Sequence, residues 1–147
     1  MKSTFQSDAR HELLERLERL SPEQRPLWGR MTAPQMVSHL LASMRMALGD
    51  LAVASKRLPL RYPPIKQLVI YWLPFPKGAP TAPELVTRVP EEWSADVAAL
   101  GDAIARLAGR DPGGRWPDHP AFGVMSGRAW GVLTYRHVDH HLRQFGA

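Results

Sequence analysis

Three of the six histidines of this 147-residue chain lie among its last eleven residues, at positions 137, 140 and 141. On a helix, His137 and His141 stand at i and i+4 and share one face. A neutral imidazole offers a nitrogen lone pair without a charge to desolvate, so a pair at this spacing is typical of half of a transition-metal site. The third ligand has to come from another part of the chain.

His140 is the alternative partner for His137, because i and i+3 positions are also neighbours on a helix. Side chains at i and i+4 are about 40° apart around the axis, against about 60° for i and i+3. This angle favours His141, and His140 is interpreted as an outer or surface residue. Asp139 is expected to point away into solvent. Structural or surface roles are expected for His11 and His119, which have no partner at helical spacing.

The apolar spacing predicts an all-α protein with four long helices and no strands. The predicted helices run from an N-cap at Asp8 to about Leu20, from Ala33 to Leu48, from about Glu91 to Ala108, and from an N-cap at Ser126 through the histidine pair. The start of the second helix is marked by Thr32 and Gln35, a capping box with a proline in the first turn.

Residues 49–90 carry eight of the fourteen prolines, a density that no long helix survives. One short helix is expected after Pro64, with an apolar face of Ile65, Leu68, Val69 and Trp72. The aromatic content predicts an ordered crossover rather than a flexible linker. A roof over a site or a dimer contact is the predicted role of Tyr71, Trp72 and Phe75, and core packing is the alternative for Trp72.

Connection lengths predict the topology of these elements. A short link makes the first two helices antiparallel, whereas the long Pro-rich crossover lets the second and third run parallel. The expected fold is a single domain over residues 1–147, a four-helix bundle running up, down, down, up.

In this topology His39 is the third ligand. It lies seven residues after Thr32, about 10 Å from the end of the bundle where the second helix begins. The last helix finishes at the same end, and His137 and His141 lie roughly 4 to 10 Å below it. The matching heights predict that the three imidazoles meet.

The chain resembles the DinB-like superfamily of four-helix bundles, which includes YfiT-like metal-dependent hydrolases and transferases of low-molecular-weight thiols. Within it, the resemblance is to a family of short bacterial proteins without an assigned reaction. The matching segments are residues 27–32, 35–39, 80–83, 119–123 and 137–146. The superfamily pattern of one histidine on the second helix and an HxxxH pair on the last implies His39, His137 and His141 as ligands.

Three neutral histidines leave coordination positions open for water or substrate, and zinc or nickel suits imidazole. We therefore expect a divalent-metal-dependent enzyme acting on a small molecule, as a hydrolase or a small-thiol transferase. The chain has no cysteine, so any thiol comes from a cosubstrate. A non-catalytic, metal-stabilised binding or stress-response module is the alternative. We consider Gln35 and Gln144 as residues that orient ligands or water. Helix capping is the alternative role for Gln35.

The net charge is +5 with a pI near 10.1, but no run of basic residues stands out. Nucleic-acid binding therefore ranks last. Neither a secretory signal nor an apolar stretch of about 18 residues is present, so we expect a cytoplasmic protein without a membrane partner. A homodimer is compatible with the sequence.

Overall fold

The computed structural model describes all 147 residues and contains five α-helices and no strand. Their bounds are α1 Ser7–Glu18, α2 Ala33–Leu48, α3 Ile65–Gln67, α4 Trp93–Ala108 and α5 Gly127–Gln144. A single isolated β-bridge pairs His119 with Gly123. The all-α prediction is confirmed.

The predicted ends of α2 and the predicted start of α5 are confirmed. Thr32 Oγ1 accepts a hydrogen bond from the Gln35 backbone N–H at 3.3 Å, and Gln35 Oε1 accepts one from the Thr32 N–H at 2.9 Å. Gly49 follows α2 with a φ of 85°, the left-handed conformation that glycine adopts without strain. Ser126 Oγ accepts from the Ala129 N–H at 3.2 Å. Local capping chemistry therefore positions the two histidine-bearing helices.

Two predicted helix starts were wrong by two residues. Gln6, not Asp8, is the N-cap of α1, and Asp8 instead places a carboxylate in the first turn, where the helix dipole favours it. That helix ends at Glu18 rather than Leu20. In α4 the Glu92 carboxylate accepts from two backbone N–H groups, so the helix starts at Trp93 and not at Glu91.

The crossover between α2 and α4 contains short elements, as its prolines require. Around α3 lie 3-10 turns at Pro59–Arg61 and Pro83–Leu85 and a π-helical turn at Leu68–Trp72. The predicted apolar face was wrong: Ile70 is the buried residue, at 1% exposure, whereas Trp72 is 73% exposed. This short element packs on the bundle mainly through Ile70, with Val69 and Tyr71 partly buried against the core.

The core is formed by the four long helices. The α2 helix packs most extensively against α4, and α1 packs mainly against α5. The fully buried side chains include Leu13, Leu40, Met44, Leu100, Ile104, Trp130 and Leu142. No helix combines the length and apolar character needed to cross a membrane.

Candidate metal centre

The three histidines predicted as ligands converge in the structure. The ligand nitrogens of His39, His137 and His141 all lie within 4.8 Å of one another. Their ring centroids are 4.9 to 5.0 Å apart. The two helices that carry them, α2 and α5, are thus in register at this point, as the height argument requires.

His39 is held by the end of the crossover. It is 4% exposed, and its Nδ1 lies 3.1 Å from the Leu85 carbonyl oxygen. A carbonyl oxygen only accepts hydrogen bonds, so Nδ1 carries the proton and Nε2 has the free lone pair. The Leu85 carbonyl therefore presents His39 in the tautomer that a metal ligand at Nε2 needs.

His141 is oriented by Gln144 from its own helix. Gln144 Nε2 donates to the Trp28 carbonyl at 2.8 Å, so the amide oxygen of Gln144 faces His141 Nδ1, also at 2.8 Å. Nδ1 must then be the donor, and Nε2 of His141 is unprotonated. The orienting role predicted for Gln144 fits this geometry, while Gln35 serves the α2 cap.

The closest contact of the cluster joins His39 Nε2 and His137 Nε2, at 3.1 Å. Two facing lone pairs repel, so a separation this short needs a proton or a cation between the nitrogens. Two nitrogens bound to one zinc ion at about 2.05 Å in tetrahedral geometry would be about 3.4 Å apart. A hydrogen bond between the two rings accounts for 3.1 Å, and because all three nitrogens lie within 4.8 Å of one another, small shifts of the rings would let them hold one divalent ion.

All three imidazoles are neutral at pH 7. Burial lowers the pKa of His39 and lowers that of His141 to about 3. Burial also holds the pKa of His137 well below its ordinary value, and the neighbouring His141 and His39 lower it further. Protons therefore compete weakly for these nitrogens, which favours metal binding over protonation.

Aromatic rings from two loops surround the cluster. Phe75 lies 6.3 Å from His137 and 5.8 Å from His140, measured between ring centroids. The His140 ring also lies 5.9 Å from Trp28 and 5.3 Å from His141. Of the three aromatic residues considered for a roof, Phe75 takes this place. His140 is an outer residue packed between rings.

Arg136, next to His137 in sequence, fastens the crossover to α5. Its guanidinium donates to the carbonyls of Val69 and Ile70 at 2.9 and 2.5 Å and also to that of Leu73. The same group lies 4.9 Å from the centroid of the Phe75 ring. Arg136 thus keeps the crossover, and Phe75 with it, beside the histidines.

Asp139 was predicted to be solvated, which was wrong. Its Oδ1 accepts from Arg16 of α1 at 2.8 Å, and Arg143 also pairs with it. The i and i+4 pairs within α5 do not indicate this contact, because Arg16 lies on another helix, α1. A surface cleft of about 400 Å³ adjoins this ion pair, lined by Tyr71 and Tyr135 among others and by none of the three histidines.

The remaining histidines have the structural and surface positions predicted for them. His119 Nδ1 accepts from the backbone N–H groups of Ala121 and Phe122, at 3.0 and 3.2 Å. Its ring packs against Trp130. His11 is on the surface, 3.2 Å from Glu15.

A sequence model of the DinB superfamily matches residues 7–145. The chain belongs to the DinB superfamily. The predicted family resemblance is thereby confirmed, and this superfamily is a metal-binding one, which agrees with the three-histidine cluster. A search of curated proteins and a search of solved structures find no match to this DinB-superfamily chain.

Three parts of the site in this DinB-superfamily protein were not foreseen from its sequence. They are the Leu85 carbonyl that orients His39, the Trp28 carbonyl that holds Gln144, and the neighbouring Gly29. Two of the three act through backbone carbonyls, which every residue has, so no residue type signals them.

Proposed function

We propose that this DinB-superfamily chain is a divalent-metal-dependent enzyme of the hydrolase or small-thiol transferase class. His39, His137 and His141 would hold the ion. The observation that supports this proposal most strongly is the orientation of His39 and His141, each with Nδ1 bonded outward and Nε2 left with a lone pair. Two histidines that only fill space in a core do not both need a bonded Nδ1 and a free Nε2.

A bound divalent ion would supply a Lewis acid that lowers the pKa of water, polarises a carbonyl or binds a thiolate. The chain's own residues would bind the ion and orient the imidazoles that hold it. Gln144 and Leu85 fix the imidazoles, Phe75 packs beside His137, and Trp28 packs beside His140. Three protein ligands leave a coordination position for substrate, in contrast to a closed four-ligand site.

Zinc and nickel are the metals we propose, because both suit imidazole nitrogens. The substrate is proposed to be a small molecule, and a low-molecular-weight thiol is the cosubstrate of the transferase version. The chain offers no thiol of its own, since it has no cysteine. The cytoplasmic location and the homodimer stay predictions from the sequence.

We also propose that the four long helices run up, down, down, up. Arg110, just after α4, donates to the Leu48 carbonyl at the end of α2 at 3.1 Å, which supports a parallel pair. Leu27, before α2, donates to the carbonyl of Gln144 at the end of α5 at 2.7 Å, which supports an antiparallel pair. A short bismaleimide cross-link between Asp50→Cys and Arg106→Cys would check the first pair.

Metal analysis of protein purified without an affinity tag tests the proposed centre. We expect one zinc or nickel ion per chain in the native protein and in the surface control His11→Ala. The substitutions His39→Ala, His137→Ala and His141→Ala should each lose it. Native protein without stoichiometric metal, at any stage of purification, would contradict the proposal.

The reaction class needs a second measurement on the metal-loaded protein. We expect glutathione to change the visible absorption of a cobalt-substituted sample if the thiol binds the ion. An unchanged spectrum together with ester hydrolysis would favour the hydrolase. Metal retained with no turnover across thiol and ester panels would assign the chain to the non-catalytic alternative.

A further inference from the structure

The crossover presents an exposed apolar surface, which we call the crossover face. It consists of Tyr62, Ile65, Leu68, Trp72 and Leu73, each at least 43% exposed. Trp72, at 73%, and Tyr62, at 68%, are the most exposed of these. Five large apolar side chains exposed within twelve residues of a small domain indicate an interaction site.

The crossover face points away from the bundle. Ile70 is buried against the core at 1% exposure. Leu68 and Trp72 are two residues to either side of it, which in a helical turn places them on the opposite side of the axis, and both are exposed. The same turn therefore anchors one side chain in the core and directs two large apolar side chains outward.

The charge around the crossover face has one sign. Residues 51–83 contain five basic residues and no acidic one. The five are Lys56, Arg57, Arg61, Lys66 and Lys77, and every ion pair of the chain is made by other residues. Of the flanking carboxylates, Asp50 pairs with Arg106 at 3.0 Å, whereas Glu84 accepts from the Ala54 N–H at 3.0 Å and interacts electrostatically with Lys56. The segment that forms the crossover face therefore carries a net positive charge.

A polar cleft adjoins the crossover face. It encloses about 640 Å³ and is lined by Ser55, Arg57, Leu58, Arg61 and Tyr62. Arg61 donates to Ser55 Oγ at 2.7 Å, which orders one wall of the cleft. Arg61 Nη1 also donates to the carbonyls of Lys56 and Pro120, so the Arg57 guanidinium and the other Arg61 nitrogens are the donors left for the oxygens of a phosphate group.

We propose that the crossover face docks on a membrane surface rich in anionic phospholipid, with a lipid phosphate in the Arg57–Arg61 cleft. Exposed tryptophan, tyrosine and aliphatic side chains enter the interfacial region, and the surrounding cations meet the negative headgroups. The expectation of no membrane partner rests on the lack of a spanning segment, and a peripheral contact of this kind needs none. The inference does not depend on the metal centre.

Other occupants fit the crossover face less well. A second copy packed face to face would bring two sets of five cations together, which is electrostatically unfavourable. Nucleic acid also favours cations and aromatic rings, but the aliphatic Ile65, Leu68 and Leu73 offer its bases no stacking surface. An anionic lipid surface matches the charge and the aliphatic side chains together.

Vesicle co-sedimentation tests the proposal. We expect the full-length protein to bind vesicles of phosphatidylglycerol and phosphatidylcholine and to ignore vesicles of phosphatidylcholine alone. The double substitution Leu68→Ser with Trp72→Ala should weaken binding at least tenfold, because it removes two inserted apolar side chains. The control Val89→Ser changes a valine that is 76% exposed outside the crossover face and should bind as the parent does.

A second pair of variants tests the contribution of the cations to membrane binding. Arg57→Gln with Arg61→Gln should weaken binding about 25-fold, roughly fivefold for each cation removed. Arg25→Gln with Arg128→Gln removes two exposed cations elsewhere and should weaken it much less. Added salt should reduce binding, since exposed charges are screened.

Several outcomes would overturn the lipid assignment. One is equal binding to neutral and anionic vesicles, and another is an equal loss of binding in both pairs of arginine variants. A dimer in light scattering that Leu68→Ser with Trp72→Ala converts to monomer would assign the crossover face to a second copy. Tight binding of DNA or of inorganic phosphate without vesicle binding would assign the cleft to those ligands. Circular dichroism of each variant checks that the helices are retained.

Discussion

Gly29 lies directly against Gln144. A Cβ atom on residue 29 would come within 2.6 Å of Gln144 Nε2, and the φ of Gly29 is +82°. The backbone conformation therefore favours glycine at this position, and a Cβ atom would displace the Gln144 amide. The contact matters because the same Gln144 amide orients His141.

Gly29→Ala should displace the Gln144 side chain and reduce metal affinity as well as stability. The control Gly78→Ala has a similar φ of +74° but nothing within 4 Å of its Cβ, so it carries only the backbone strain. We expect both variants to lose about 1 to 2 kcal/mol of unfolding free energy. Only Gly29→Ala should weaken metal binding in a chelator competition, and equal affinities in the two variants would refute the coupling.

Gln144→Leu removes the partner of His141 Nδ1 and should lower metal affinity about 10- to 100-fold, as is usual for groups that orient a metal ligand. Gln144→Glu keeps an acceptor for that N–H while losing the donor to the Trp28 carbonyl, so it should retain more affinity than the leucine variant. Gln35→Leu, which affects only the α2 cap, serves as the control. Isothermal titration with zinc measures all three, and a leucine variant with native affinity would remove Gln144 from the site.

The Arg88–Asp96 ion pair fixes the end of the crossover near His39. Asp96 is 3% exposed and receives hydrogen bonds from Arg88 at 2.5 Å and from the Glu91 N–H at 2.9 Å. Arg88 also donates to Ser38, which precedes His39, at 3.0 Å. The hydrogen bond from Arg88 lowers the pKa of Asp96. The stability from the pair is therefore present above the ordinary pKa of the carboxyl and lost as the pH falls through the lowered one.

Asp96→Ala should destabilise the protein by about 3 kcal/mol, the lower end for breaking a buried pair, since Arg88 retains some solvent contact. Asp50→Ala breaks the exposed pair with Arg106 and should cost less than about 1 kcal/mol. Urea denaturation at pH 7 compares the two. Similar losses in both variants would show that burial of Asp96 contributes nothing beyond a surface pair.

His119 makes stability depend on pH. Burial lowers its pKa from 6.5 to about 4, so the unfolded chain takes up a proton at a higher pH than the folded one. Stability from the neutral ring is therefore complete above about pH 6.5 and is lost as the pH falls towards 4, by up to about 3 kcal/mol. His119→Asn keeps an acceptor for the two backbone N–H groups but does not titrate here.

The test for His119 is a series of urea unfolding curves between pH 7.5 and 5 in the presence of a chelator. The parent should lose stability more steeply than His119→Asn as the pH falls. The remaining slope in the variant comes from the other buried histidines, whose pKa values are also lowered. Parallel curves for the two proteins would mean that His119 takes up its proton over the same pH range in the folded and unfolded states.

The sequence by itself determined the helices that carry the three histidines. Thr32 and Gln35 form a capping box from four consecutive residues, and Ser126 caps α5 in the same local way. The i and i+4 spacing of His137 and His141 follows from helix geometry alone. These features depend on neighbours within one turn, so a single chain without a structure is enough to find them.

Predictions failed where a side chain's environment came from a distant segment or an unusual turn. Trp72 was expected on an apolar helix face, but the π-helical turn turns Ile70 inward instead. Asp139 was expected in solvent, but Arg16 from another helix pairs with it. For Trp72 the local turn differs from the predicted helix, whereas for Asp139 the deciding contact comes from another helix.

Only the tertiary structure decided how the histidines are oriented. The Leu85 carbonyl is 46 residues from His39, and the Trp28 carbonyl is 116 residues from Gln144. Backbone carbonyls carry no residue identity, so their position depends on how the crossover and the α1–α2 loop fold over the bundle. The sequence thus supplies which imidazoles approach one another, and the packing of these two loops supplies the direction in which His39 and His141 present their lone pairs.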